Sequence, residues 1–516
     1  MSETPFDVLV IGGGVNGTGI ARDAAGRGLS VLLCEKGDLA GATSSASTKL
    51  IHGGLRYLEY FDFRLVRESL LEREILLDLA PHIIWPLRFI LPCKKGRRPS
   101  WMIAIGLWLY DRLGPRRRLP PSQRISLAGA IEGAPLGDDL SAGFAYSDCW
   151  VDDARLVALN ALDARERGAI IQTRTACVSA ARERGLWVAV LQNCLDGTES
   201  KVEARALVNA AGPWAGTFLN GVGGRDAGER LRLVRGSHIV VPRLYAGNHA
   251  YTFQNTDKRI VFALPYERDF TLIGTTEAPF EGDPDAVAIS GDEAAYLCRA
   301  ASAYFKAPVK PEQIIHSFSG VRPLYNDRAA NASAITRDYV LDCAAPPGMA
   351  PILSVFGGKI TTYRRLAERA LSILAPSLTP PRPAPWTGSA PLPGGDIDAG
   401  DFERFQRTFH DENPWLPPTT ARRLARAYGT RAAAVLGGAK SLADLGADFG
   451  AGLSQAEIDY LIDKEWARTA EDVLWRRSKL GLHMSAAQRA RVEDYFSSLP
   501  GFPPRSIPPR SDPTKV

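Results

Sequence analysis

Cysteine is scarce in this chain. The seven, Cys34, Cys93, Cys149, Cys177, Cys194, Cys298 and Cys343, are scattered, odd in number and never form a C-x-x-C pair. That pattern argues against a disulfide framework or a zinc site and fits a reducing compartment. The N-terminal stretch MSETPFDVLVIGGG has no basic segment, cleavage site or Arg-rich amphipathic presequence, so no targeting peptide is expected. No apolar run approaches the length needed to span a bilayer. Nor is one sign of charge dominant: 62 basic and 57 acidic residues leave a net charge of +5. A mixed-sign surface of this kind does not point to nucleic acid, although a mild positive excess would help a patch rest on an anionic membrane. There is no internal repeat.

What is present is a chain of 516 residues, 45% hydrophobic, long enough for two or three domains. It opens on FDVLVI (Phe6 to Ile11), a short apolar run rich in β-branched residues that reads as a buried strand. A glycine-rich turn follows, then a helical pattern ending near Gly28, then a second buried strand at SVLLCE (Ser30 to Glu35). That βαβ unit implies a parallel sheet. RALVNAAG (Arg205 to Gly212) and PILSVFGGK (Pro351 to Lys359) read as further strands of an α/β sheet. SHIVVP, RIVFALPY and FTLIGTT alternate instead, which suits an antiparallel sheet in a second domain. Proline and glycine crowd the stretch from Ala375 to Gly395, read as an interdomain linker. Helical patterns with capping residues at their starts follow it, and the chain closes on a proline-rich tail.

Gly12, Gly14 and Gly17 form G-x-G-x-x-G between the first strand and its helix, and Glu35 closes the second strand. The first glycine allows the tight turn, the second lets backbone approach a pyrophosphate, and the third lets helix pack on strand. The helix N-terminus favours the phosphate charge, and the acid accepts from ribose hydroxyls. NAD and FAD share this fingerprint. Three distant segments favour a flavin, because each offers hydroxyls, small residues or a Gly-Gly turn to a long cofactor: Gly41 to Gly54, Asn209 to Ala215, and Phe356 to Arg364.

The run VLVIGGGVNGTGIARDAAGRGLSVLLCEKGDLAGATSSASTKLIHGGLRYLE resembles the N-terminus of the FAD-dependent glycerol-3-phosphate dehydrogenases, of the bacterial type. GSHIVV, LIGTTE, SGVRPL, FGGKITTYR and EDVLWRRSKLGL match later segments of that family in the same order. No D-x-[DN]-x-[DN]-G calcium loop of the mitochondrial branch is present. The resemblance implies an α/β fold: a Rossmann-like FAD-binding domain (1–80, 150–225 and 335–375) interrupted by an antiparallel β substrate-binding domain (81–149 and 226–334). A Pro-rich linker (376–395), a helical C-terminal domain (396–500) and a tail (501–516) complete it.

It also implies oxidation of sn-glycerol 3-phosphate to dihydroxyacetone phosphate, with FAD taking the hydride and a membrane quinone receiving the electrons. The place of work would be the cytoplasmic face of the bacterial inner membrane, with peripheral attachment; a homodimer stays open as the oligomeric state. WMIAIGLWLYDRLGPRRR (Trp101 to Arg118) is either an interfacial amphipathic segment or a core helix. The cofactor contacts expected are Gly12, Gly14, Asn16, Gly17, Glu35, Lys36, Thr43, Ser44, Ser45, Ser47, Lys49, Leu50, His52, Gly53, Gly54, Val178, Ala211, Gly212, Trp214, Gly357, Gly358, Lys359 and Thr361. The glycines of IHGG would let the chain press against the flavin ring.

The substrate is a small dianion with a secondary alcohol, so it needs cations and a base. Arg56, Arg322 and Lys359 are the candidate phosphate ligands; taken singly each would read as a surface charge. Tyr57 and Thr275 are candidate substrate contacts. His238 is the candidate base, with Arg322 stabilising the developing alkoxide and His52 as the rival base. Other readings are an oxidase using oxygen, an amine or amino-acid oxidase of the same superfamily, and a flavin-binding redox sensor.

Overall fold

The computed structural model describes residues 4–115, 118–221, 231–325 and 338–501. The tail from 502 onward lies outside these residues.

β1 (Phe6–Ile11) is buried over its last four residues, as expected of a strand covered on both faces. It pairs in parallel with β2 (Val31–Cys34) on one side and with Glu199–Asn209 on the other. Ile170–Gln172 and Ile352–Phe356 extend the parallel sheet at its two ends. α1 (Val15–Gly26) is the crossover, and Gly17 sets its distance from the sheet: a Cβ there would lie 1.9 Å from the Gly12 carbonyl oxygen.

The second sheet has ten strands and is antiparallel except where Ile84–Pro92 meets Ala250–Gln254. Its strand Leu231–Pro242 pairs with Phe270–Gly274 on one side and His316–Tyr325 on the other. The register sets His238 opposite both Gly274 and Phe318, and Val234 opposite Arg322. The segment after β2 leaves the first sheet and joins the second, where Leu50 and Ile51 pair with Trp150 and Cys149. One stretch of chain thus stitches the two sheets together.

The C-terminal helices have their own core, including Phe402, Leu424, Tyr428, Leu461, Val473 and Phe496. The helical pattern beginning at Ser454 is broken rather than continuous: Gln455–Glu465 ends at Trp466 with φ 58°, and a π-helical turn Asp472–Arg477 follows. Asp472 explains the restart, since its carboxylate accepts the Arg468 and Thr469 amides at 2.8 and 3.1 Å. The proline-rich stretch is a bound strap, not a loose spacer. Arg382 N donates to Arg27 O and Leu392 N to Leu79 O, each at 3.0 Å. Trp386 lies against Gly26 and under the Arg22 and Arg167 guanidiniums.

Candidate functional site

The glycine-rich turn and Glu35 form one cradle. Glu35 Oε2 accepts the Gly13 amide at 2.6 Å and Oε1 the Gly37 amide at 2.7 Å. Burial pushes its carboxyl pKa up, against those two amides, which lower it. Ser44 Oγ accepts the Val15 amide at 3.0 Å, one of the first-turn donors of α1. Asn16 donates to Gly357 O at 3.3 Å, tying the first cofactor segment to the last, while its Oδ1 is buried without a hydrogen-bond partner. Asn209 Oδ1 holds the Ala211 amide, shaping the turn that leads to Gly212 and Trp214. Val178 is skipped in the strand register between Cys177 and Ser179, so its backbone is outside the ladder. Thr361 Oγ1 accepts the His52 amide at 3.3 Å, joining IHGG to GGKITT. Amide donors of a Gly-rich turn at a helix start, with a carboxylate at the next strand end and an orphaned buried carbonyl as acceptors, suit an extended dinucleotide, and FAD fits them.

Several residues expected at the cofactor have scaffold duties. Lys49 Nζ, buried, is held by Asp153 at 2.8 Å and Ser45 O at 3.0 Å, and Ser47 binds the same Asp153. Leu50 is core. Lys36 pairs with Asp285 at 2.5 Å over the Trp214 ring. Thr43 donates to Val321 O and Ser45 to Ala42 O. The glycine pair has a packing role as well. A Cβ on Gly53 would meet Leu70 and the Tyr110 hydroxyl at 2.6 Å, and one on Gly54 would meet the Tyr57 ring at 2.2 Å. Gly54 also has φ +78°. Protein packing already demands both glycines, so they are not evidence for a flavin ring.

The substrate candidates converge. Arg322 Nη2 donates to Thr275 Oγ1 at 3.1 Å. Arg322 and Arg56 face one carboxylate, Glu277, each at 3.8 Å. Lys359 Nζ lies 3.6 Å from the Tyr57 ring centroid. Gly236 makes room, because a Cβ there would sit 2.6 Å from Arg322 Nη2. Arg56 Nε and Arg322 Nη1 are buried without hydrogen-bond partners, and burial pushes the Arg322 pKa down, with Tyr57 opposing. A desolvated guanidinium beside a second cation is an anion site.

His238 is fully buried, its ring stacked 4.9 Å from Phe318, its Nε2 2.9 Å from Thr48 Oγ1 and its Nδ1 without a partner. Burial first, then Arg322 and Lys49, holds its pKa well below the usual imidazole value, so the ring is kept neutral. Gly274 permits this seat: a Cβ there would lie 2.0 Å from the imidazole. Sequence reasoning missed Glu277, Thr48, Phe318 and Asp153. Glu277 closes the quoted motif LIGTTE and Thr48 lies in the hydroxyl-rich segment Gly41 to Gly54; Phe318 and Asp153 had no signal beyond residue type.

Among the described residues no helix is long and apolar enough to cross a membrane. A family model described as "FAD dependent oxidoreductase" matches residues 7–364, and one described as "C-terminal domain of alpha-glycerophosphate oxidase" matches residues 386–496. The chain is 54% identical to a glycerol-3-phosphate dehydrogenase of Pseudomonas aeruginosa, over 97% of this chain and 96% of that one. It is 51% identical to a D-erythritol 1-phosphate dehydrogenase of Brucella abortus, over 95% of this chain and 98% of that one. Among solved structures, the glycerol-3-phosphate dehydrogenase of Bacillus halodurans, complexed with FAD, superposes with a TM-score of 0.73 at 26% identity, covering 96% of this chain and 95% of that one.

Proposed function

From the premise that the chain belongs to the FAD-dependent oxidoreductases, and among them to the glycerol-3-phosphate dehydrogenases, we propose that it oxidises sn-glycerol 3-phosphate to dihydroxyacetone phosphate. The observation that carries this is the meeting of Arg56, Arg322 and Thr275 around Glu277, with Lys359 on Tyr57 and neutral His238 close enough to feel the Arg322 charge. FAD, when bound, supplies the hydride acceptor. Arg56, Arg322 and Lys359 bind the phosphate, two as hydrogen-bonding forks and one as a point charge. Tyr57 and Thr275 orient the substrate carbons. A His238 ring whose Nε2–H donates to Thr48 keeps the Nδ1 lone pair for the hydroxyl proton. Arg322 stabilises the alkoxide charge that develops as that proton leaves.

Electrons then pass to a membrane quinone, with the enzyme resting on the cytoplasmic face of the membrane. The helix Ser100–Leu113 supports this reading. It buries Ile103, Leu107 and Tyr110 but exposes Trp101, Met102, Ile105 and Trp108. Phe61, 78% exposed, precedes the helix that packs beside it. A face of this kind suits a lipid interface.

The 51% identity to the D-erythritol 1-phosphate enzyme supports a second substrate, a longer polyol phosphate with the same anion and secondary alcohol. Anaerobic addition of each ester to the FAD-loaded protein decides between them. Bleaching of the flavin absorbance by glycerol 3-phosphate, and its return on adding quinone, is the expected result. Bleaching by the erythritol ester alone would move the substrate, recovery with oxygen but not quinone would move the acceptor, and no bleaching by either sinks the reading.

A further inference from the structure

The motif EDVLWRRSKLGL lies in the C-terminal domain, yet its charged residues reach the cofactor cradle. Arg476 Nε is 2.6 Å from Asp38 Oδ2, and Arg477 grips both oxygens of Asp38 at 2.7 Å. Asp38 is 2% exposed and sits three residues after Glu35. A second grip comes from Asp472, which is fully buried and takes Arg174 Nη2 on both oxygens at 2.8 Å. Arg174 is itself pinned to the same loop, its amide donating to Gly37 O at 2.9 Å, while Thr175 N donates to Glu35 O at 2.8 Å. Asp472 and Arg476 also pair with each other, closing the network.

The loop so held carries the whole nucleotide side of the cradle. Glu35 at its start binds the Gly13 amide. Ala40 N donates to Gly13 O at 3.1 Å, and Ser44, just beyond, caps the first turn of α1. Two buried carboxylates with three guanidiniums are costly to desolvate and would be a poor way to gain stability alone. What they provide is a fixed position, since the bidentate fork of Arg477 on Asp38 accepts one geometry only and Arg174 and Arg476 hold Asp472 from two sides.

We propose that the C-terminal domain is a working part of the FAD site: Arg476 and Arg477 on Asp38, with Asp472 on Arg174, act as positioning residues that hold the Glu35 loop, so that flavin retention depends on that domain being docked. The inference rests on FAD binding and not on which phosphate ester is oxidised. By reciprocity, bound FAD must also favour the docked domain.

The test uses the full-length protein stripped of flavin and titrated with FAD, followed by flavin fluorescence. Arg477→Met removes the bidentate grip. Arg174→Gln, at a partly exposed side chain, is the gentler variant if the first fails to fold. Each is expected to weaken FAD binding about tenfold or more, with KM for glycerol 3-phosphate unchanged at saturating FAD. In the unsubstituted protein, FAD is expected to slow proteolytic cleavage between the strap and the C-terminal helices. FAD affinity within about twofold of the parent in Arg174→Gln, alongside a lowered melting temperature, would show a merely structural network and overturn the proposal. So would cleavage of the parent at the same rate with and without FAD.

Discussion

At the scale of the residue, the proposed site sets Arg56 and Arg322 about one carboxylate, Glu277, with a histidine kept uncharged by burial. Losing one charge-assisted contact to a phosphate costs about 1.5–3 kcal/mol. Lys359→Ala or Arg322→Ala should therefore raise KM for glycerol 3-phosphate roughly 10- to 150-fold, with FAD content intact. Initial rates across substrate concentration check this, and an unchanged KM would remove those residues from the phosphate site. His238→Asn is expected to lower kcat by about 10²- to 10⁴-fold with the flavin spectrum preserved. Because burial depresses the His238 pKa below the usual imidazole value of about 6.5, the parent should keep this ring deprotonated under mildly acidic conditions. The acid limb of kcat/KM should then fall below pH 6.5, and a limb at or above that value would assign the base elsewhere.

At the scale of the element, the sequence read well where one strand or turn decides its own structure. β1, α1 and β2 stand within a residue or two of their expected bounds, because apolar runs between glycine turns leave little choice. The stretch from 376 to 395 read only as a linker because proline counts say nothing of Trp386 finding the Arg22 and Arg167 guanidiniums. The break at Trp466 depends on Asp472 capping amides three and four residues before it, a choice settled by tertiary pairing with Arg174 and Arg476. Arg56 and Arg322 were legible as candidates, whereas Glu277, although the last residue of LIGTTE, was passed over because an acid is not sought in a site built for an anion. The helix Ser100–Leu113 buries Ile103, Leu107 and Tyr110 and exposes Trp101, Met102, Ile105 and Trp108, a split that the run of apolar residues did not reveal. Trp101→Ser with Ile105→Asn and Trp108→Ser should reduce co-sedimentation with anionic vesicles several-fold while leaving anaerobic flavin reduction unchanged. Undiminished sedimentation would place the lipid surface elsewhere.

At the scale of the whole molecule, buried histidines link stability to pH. Burial, with nearby arginines, lowers His82 to about 3; burial, with Lys49 and Arg489, lowers His316 to about 4. His316 stacks on Trp475 at 4.4 Å, so it sits where the second sheet meets the C-terminal domain. The unfolded chain binds these protons near pH 6.5 and the folded one does not, so stability is full above that value and drains as pH falls toward 4. The melting temperature is expected to be flat near neutrality and to decline from about pH 6.5 downward, with a shallower slope in His316→Gln. An equal slope in that variant would show that the interface histidine does not titrate on unfolding. The cluster of Arg56, Arg322 and Lys359 has a kinetic consequence of its own. In the role proposed for it, it would grip a group that the oxidation leaves untouched, and so would hold ketone and alcohol alike. On that reading the ketone product should inhibit competitively about as tightly as the alcohol binds, and a short phosphate ester without the secondary alcohol should compete for the same seat.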